Sequence, residues 1–171
     1  KGVHVFCDKP VASTAADTER MFDAAKRSGA KLMVYQPRRV FPEAEYARET
    51  IRGGKLGRVF QFKIFAGSYN RRNDWQAIRA NAGGMLLNYG AHYVDQAACV
   101  LGENLSVISC VTDHIVTLGD AEDVVKLLLT SESGVLVDID ISQAAALQPY
   151  SMLIYGEYGA AMLATDGVWH I

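Results

Sequence analysis

The sequence predicts an α+β fold in which a mostly antiparallel sheet carries helices on one face and follows a single βαβ unit. Three observations predict it. Residues 1–36 read as strand, turn, helix and strand; the later half is a series of strand-like runs with little helix between them; and one run separates its residues cleanly by face. In that run Val135, Val137, Ile139 and Ile141 point one way, while Asp138 and Asp140 point the other.

Taken in order, Gly2 to Phe6 alternates like the end of a strand, and Cys7-Asp8-Lys9-Pro10 breaks the alternation. Thr14 with Asp17 three positions later forms a capping box, Met21, Phe22 and Ala25 recur at helical spacing, and Gly29 ends the helix. Lys31 to Tyr35 is a short apolar strand. One βαβ unit cannot bury both faces of a parallel sheet, so this opening calls for neighbouring strands.

Pro37 and Pro42 punctuate a linker, and a second helix runs from Glu43 to Gly53-Gly54 with Ala44, Ala47 and Ile51 on one face. Arg58 to Ala66 alternates, Phe60, Phe62 and Ile64 against Gln61 and Lys63. A polar loop from Ser68 to Ala82 leads through Gly83-Gly84 to a helix over about Met85 to Leu101. Strands are then expected over Leu105 to Thr117, Asp123 to Ser131, Val135 to Gln143 and Tyr150 to Tyr155. Short turns such as Glu132-Ser133-Gly134 make neighbouring strands antiparallel. The second face of the sheet mixes Gln61, Lys63, Asp138 and Asp140 with Val111, Val124 and Leu128. It is either solvated or covered by a partner subunit.

Composition narrows the function. The 171 residues are 50% hydrophobic and 21% charged, with 17 basic and 19 acidic side chains and a net charge of −2. That balance argues against a nucleic-acid surface, which ordinarily needs a basic excess. No apolar stretch approaches the ~20 residues that span a bilayer, and the sequence shows no basic-then-apolar leader; beginning at Lys1, it reads as an internal piece of something longer or a processed product. Cys7, Cys99 and Cys110 are odd in number and lack CxxC spacing, which suggests a reduced, cytoplasmic protein. His4, His114 and His170 have no ligand-like spacing, so no metal is expected.

Two places carry chemistry. Lys9 stands on a strand-to-helix turn, where open α/β sheets place their ligands; Pro10 stiffens the turn, and Asp8 is placed to hold the ammonium. An exposed loop lysine is the plain alternative. The second place is the helix containing Asn88, His92 and Asp95, whose spacings of four and three put them on one stripe. An imidazole there can exchange a proton near neutral pH, with Asp95 to orient it and Asn88 to hydrogen-bond a substrate oxygen. Gly90 beside them leaves room for a close approach, and a histidine simply satisfied within the helix is the alternative. Arg71, Arg72 and Trp75 form a cationic, aromatic loop fit to cover a phosphate or adenine, or simply a surface loop. Asp120, Glu122 and Asp123 read as an acidic turn, Asp138 and Asp140 as wet carboxylates, and no GxGxxG occurs.

Cys7-Asp8-Lys9-Pro10 resembles the Glu-Lys-Pro signature of the Gfo/Idh/MocA oxidoreductases. The run Gly83 to Asp95 is similar to that family's glycine-rich segment leading into G-x-H-x-x-D, and Arg38-Arg39, Phe41-Pro42 and Gly57 fit its interdomain junction. The resemblance implies that residues 1–36 are the C-terminal remnant of a dinucleotide-binding Rossmann domain. It makes residues 37–171 an α+β substrate-binding and oligomerisation domain with an open sheet, incomplete at its C-terminus. It further implies a partial chain of an NAD- or NADP-dependent dehydrogenase acting on a sugar, polyol or related hydroxyl compound. Lys9 matches the family lysine near nicotinamide and substrate, and His92 the histidine that exchanges the hydroxyl proton. Asn88 stands where many members carry aspartate.

The site expected from this resemblance has Lys9, His92 and Asn88 as catalytic residues. Asp8, Lys9, Pro10 and Trp75 would hold the cofactor, and Asn88, His92 and Asp95 the substrate. Gln76 follows Trp75 where other members often place arginine. A homo-oligomer formed through the open sheet face is expected. Asn88 keeps a second reading open, a non-catalytic ligand-binding or assembly module of the same fold.

Overall fold

The structure, a computed structural model, describes residues 2–171 and divides into two compact units, Lys1–Pro37 and Arg38–Ile171. In the smaller, β1 (Val5–Cys7) and β2 (Leu32–Val34) pair in parallel on either side of α1 (Ala15–Ser28). Thr14 caps α1 by accepting the Asp17 N–H, and its hydroxyl donates back to the Asp17 carboxylate. Gly29 closes the helix with φ 67°, a backbone position that costs other residues strain. Phe6 and Met33 are each 63% exposed, so this two-stranded sheet leaves large apolar side chains uncovered.

The larger unit begins with a 3₁₀ turn, Pro37–Val40, and α2 (Pro42–Arg52), which starts at a proline as helices favour. After β3 (Val59–Gly67) and the polar loop come a π-helical turn (Leu86–Gly90), α3 (Ala91–Leu101) and six further strands. These are β4 (Leu105–Asp113), β5 (Val124–Ser131), β6 (Leu136–Ser142), β7 (Met152–Gly156), β8 (Gly159–Leu163) and β9 (Trp169–His170). Their order across the sheet is β4-β5-β6-β3-β7-β8-β9. All neighbours are antiparallel except β3 and β6. That exception follows from connectivity: α3 carries the chain from β3 to the far edge, and the β4-β5-β6 meander returns it alongside β3 in the same direction.

The face alternation is realised. Val137, Ile139 and Ile141 are completely buried with Phe62, Ile64 and Ile154 beneath Ala44, Ala47, Ala97 and Val100 of the helices. Each fully buried branched side chain contributes about 1.5–3 kcal/mol. On the opposite face Lys126 binds both Asp138 and Asp140, with Lys63 3.7 Å from Asp138. These carboxylates are therefore paired rather than merely wet, because β5 and β3 flank β6 and set their lysines opposite it. Val107, Ile108 and Val111 of the edge strand β4 are all more than half exposed.

Three boundaries differ from expectation. The strand expected over Leu105 to Thr117 stops at Asp113, because residues 115–117 wrap around a buried carboxylate described below. The expected α-helix over 85–101 opens with a π turn. Strands β8 and β9 were not anticipated: Gly159-Ala160-Ala161 has little intrinsic strand preference and is held by pairing with β7. Among the described residues no helix is long and apolar enough to cross a membrane. All three cysteines are free thiols.

Candidate functional site

The π turn and α3 carry the polar stripe, and two loops build the socket in which they start. Glu122 supplies most of it. Its backbone carbonyl accepts the Met85 N–H at 3.0 Å and its carboxylate accepts the Leu86 N–H at 3.2 Å, so an acid sits at the helix start, where backbone donors lack partners. Gly84, with φ 107°, lies so close to that carboxylate that any side chain would overlap it. Gly83 is packed equally tightly over the carbonyls of Gln76 and Ile78. The glycine pair thus lets two loops converge on one helix start.

Asn88 lies in the π turn and His92 and Asp95 on α3, all three half-buried. π turns interrupt the regular ladder and recur at functional sites. Asn88 Nδ2 donates to Gln76 Oε1 at 2.8 Å. Asp95 is engaged by Arg39 through both carboxylate oxygens, with Nε donating at 2.7 Å, which ties the Pro37–Val40 turn to α3. A guanidinium is thus one partner of the Asp95 carboxylate. A Cβ at Gly90 would meet the Leu86 side chain at 3.1 Å, so the bare backbone there accommodates Leu86.

The acidic turn is structural throughout. Asp120 Oδ1 accepts the Arg79 N–H at 2.8 Å, pinning the loop before the glycines. Asp123, 1% exposed, accepts the N–H groups of Ile115, Val116 and Thr117, each at 2.8 Å. Burial works against its charge, yet these three donors hold its pKa below the ordinary carboxylate value. His114 Nε2 meets the Thr117 carbonyl at 3.0 Å and completes this clasp.

In the smaller unit, Lys9 occupies the turn after β1, half-buried, followed by Pro10 in a cis peptide. Asp8 Oδ1 accepts the backbone N–H of Lys9 at 2.7 Å and so shapes the turn that carries the ammonium. In the larger unit Trp75 is 59% exposed at the loop tip. Arg72 pairs with Asp74 at 2.8 Å, and Arg71 Nε donates to the Val116 carbonyl at 3.4 Å.

A cavity of about 690 Å³ lies on the core side of the same helix. Tyr89, Tyr93, Tyr46 and Trp169 form its aromatic wall, and Gln143 and Gln148 part of its polar lining, whereas Asn88, His92 and Asp95 do not line it. The Arg38 guanidinium stacks 4.5 Å from the centre of the Tyr93 ring. Burial, against the opposing pull of Arg38, pushes the Tyr93 hydroxyl above its ordinary pKa.

The sequence reading missed Gln76 and Glu122 as parts of this site. A signal existed for Glu122: two consecutive glycines before a helix need a neighbour that forbids side chains, and an unassigned acid is a natural candidate.

A parallel βαβ unit followed by an α+β unit with a largely antiparallel seven-stranded sheet is a two-part architecture. The chain belongs to the GFO/IDH/MocA family: residues 44–162 match its C-terminal domain, and residues 1–36 match the oxidoreductase family's NAD-binding Rossmann fold. It is 29% identical to D-apiose dehydrogenase of Paraburkholderia graminis over 96% of this chain and 45% of that protein. It is 31% identical to levoglucosan dehydrogenase of Pseudarthrobacter phenanthrenivorans over 60% of this chain and 28% of that protein. An NAD-binding protein from Listeria innocua superposes with a TM-score of 0.91 at 25% identity, covering 98% of this chain and 50% of that one. The chain therefore spans half or less of the length of these relatives.

Proposed function

We propose that this chain is part of an NAD- or NADP-dependent dehydrogenase that oxidises a hydroxyl group of a sugar, polyol or related compound. The observation that supports the reading is the position of His92 on α3, four residues after Asn88 of the π turn, at a helix start held by two loops. Oxidising a secondary alcohol requires the hydroxyl proton to leave as hydride departs from the same carbon. His92 accepts that proton and Asn88 orients the hydroxyl, and Lys9 of the smaller unit is read as a nicotinamide-binding cation. Asp95 serves the substrate by fixing α3 through Arg39. The nicotinamide, when bound, takes up the hydride.

The residues present fit such a cofactor. The Lys9 turn stands at the carboxyl end of a parallel strand, the position at which open α/β sheets bind ligands. Asp8, Lys9 and Pro10 of the smaller unit would hold it. The uncovered faces of β1 and β2 support residues 1–36 as part of a larger nucleotide-binding sheet, with residues 37–171 as the substrate domain. The exposed Val107 and Val111 support a homo-oligomer formed through the open sheet face. Three free thiols support a cytoplasmic setting.

The test is direct. The full-length protein is assayed with NAD⁺ and NADP⁺ against D-apiose, levoglucosan and a panel of other aldoses and polyols. At least one is oxidised, and His92→Ala lowers its kcat/KM by ~10²-fold or more. An unchanged rate in His92→Ala, or no oxidation of any compound, overturns the proposal; the latter outcome with retained sugar binding favours the ligand-binding module.

A further inference from the structure

We infer that the cavity on the core side of α3 is a binding site for a neutral, hydroxyl-bearing ring of the saccharide class, held by the Gln143 amide against the aromatic wall. None of Asn88, His92 and Asp95 lines this cavity, so the inference goes beyond the proton exchange proposed above and does not depend on it.

Among the described residues, Gln96, Thr117 and Gln143 each keep a buried side-chain oxygen without a hydrogen-bond partner, and of these Gln143 lines the cavity. It is the residue after β6, and the alternation that buries Val137, Ile139 and Ile141 places it on the same inward face. Its backbone is fixed on both sides, the N–H donating to the Asp123 carbonyl and the C=O accepting the Asn70 N–H, each at 2.9 Å. The residue is only 3% exposed. A buried amide oxygen left unpaired is costly, and an apolar side chain of similar shape would serve a purely structural role better. Gln148 lines the same cavity and shows the contrast. Its Nε2 donates to the carbonyls of Phe65 and Tyr150 at 3.1 and 3.2 Å, and its Oε1 accepts the Gly67 N–H at 3.2 Å. One amide braces the wall; the other is left for an occupant.

The rest of the lining selects the occupant. Tyr46 and Trp169 pack with ring centres 4.9 Å apart, and Tyr89 and Tyr93 with ring centres 6.3 Å apart. Aromatic faces carry partial negative charge and suit the C–H edges of a sugar ring. Arg38 and Glu43 both line the cavity with opposite charges, and Arg38 is already stacked on Tyr93, so the walls offer an anion no net charge. A hydroxyl both donates and accepts, and it satisfies the Gln143 oxygen by donating to it. The volume of about 690 Å³ falls within the range of small-molecule sites, which join aromatic walls to a few fixed polar groups. Two sources offer this chemistry: a further ring of the saccharide being oxidised, and a separate sugar molecule.

The experiment titrates glucose, maltose and cellobiose into the full-length protein by calorimetry, with Gln143→Leu and Tyr46→Leu as variants. At least one sugar binds the native protein, and each variant weakens that binding by ~10-fold or more. Gln143→Leu keeps or raises the melting temperature, because it removes an unpaired polar group from the core, which separates lost binding from lost folding. Tyr46 is 38% exposed, and its variant carries the test if Gln143→Leu fails to fold. No binding of any of the three sugars, or native affinity in either folded variant, overturns the inference. Competition with the sugar best oxidised in the panel above assigns the source. A bound sugar that it displaces, with the variants raising KM for disaccharides alone, is part of the substrate; one that binds alongside it is a separate ligand. If no compound is oxidised while a sugar still binds and both variants weaken it, the dehydrogenase reading fails and this one stands.

Discussion

Gly84 and Glu122 share one space. The glycine carries no side chain where the Glu122 carboxylate reaches in to accept the Leu86 N–H at 3.2 Å. Two residues 38 positions apart in sequence thus set the start of the helix on which Asn88 and His92 lie.

Gly84→Ala forces this carboxylate aside and places alanine at φ 107°, so it should destabilise the protein by roughly 1–3 kcal/mol in denaturant unfolding. Glu122→Ala should also destabilise it, because the Leu86 N–H loses its acceptor. In the double variant the steric part of the glycine substitution disappears, and the combined loss should be smaller than the two single losses added. Strict additivity would show that the carboxylate does not define the space.

Asp123→Asn presents an NH₂ group to at least one of three backbone donors and should cost about 1–3 kcal/mol. Its pH dependence has a defined sign. The carboxyl titrates lower in the folded state than in the unfolded chain, so its contribution is complete above the unfolded pKa, about 3.9, and is lost as pH falls through the lower folded value. Melting temperatures measured from pH 7 down to pH 3 should therefore fall more steeply for the native protein than for Asp123→Asn.

The Arg39–Asp95 pair has side-chain exposures of 54% and 17%, so solvent screens it and its worth to folding is small. A double-mutant cycle with Arg39→Ala and Asp95→Ala should give a coupling of ~0.2–1 kcal/mol that shrinks in high salt. A coupling of several kcal/mol would mean that the pair is shielded from solvent in the working protein.

Lys9→Met removes the ammonium while keeping the bulk of its stem. If that charge takes part in the proposed reaction, kcat/KM of the full-length protein should drop by ~10²–10³-fold. A drop confined to KM for the nucleotide would instead assign Lys9 to cofactor binding alone.

Val111 lies opposite Lys126 on the uncovered face of the sheet and is 61% exposed. Val111→Glu should shift the full-length protein towards smaller species in light scattering without altering its melting temperature at low concentration. A native protein that is monomeric at high concentration would remove the sheet face as an interface.

Local signals in the sequence were reliable where a residue's role depends on its immediate neighbours. The Thr14–Asp17 cap, the Gly29 stop and the alternation from Val137 to Ile141 were legible because periodicity and capping act over a few positions. The helical character of the segment carrying Asn88 and His92 was legible for the same reason, although its opening π turn was not. Gln76 and Glu122 escaped notice because their partners lie 12 and 36 positions away, beyond the reach of any spacing rule. Asp138 and Asp140 were misread as solvated because their lysine partners belong to other strands, and sheet order is not written in any one of them.

What the sequence settled alone was the kind of fold, the inward face of its sheet and the helix carrying the imidazole, since apolar periodicity follows directly from which side of an element meets water. Tertiary structure decided which acids are partners, caps or clasps. A carboxylate's role depends on the donors brought to it, and in this chain those donors arrive from loops and strands that become neighbours only when the sheet closes its order.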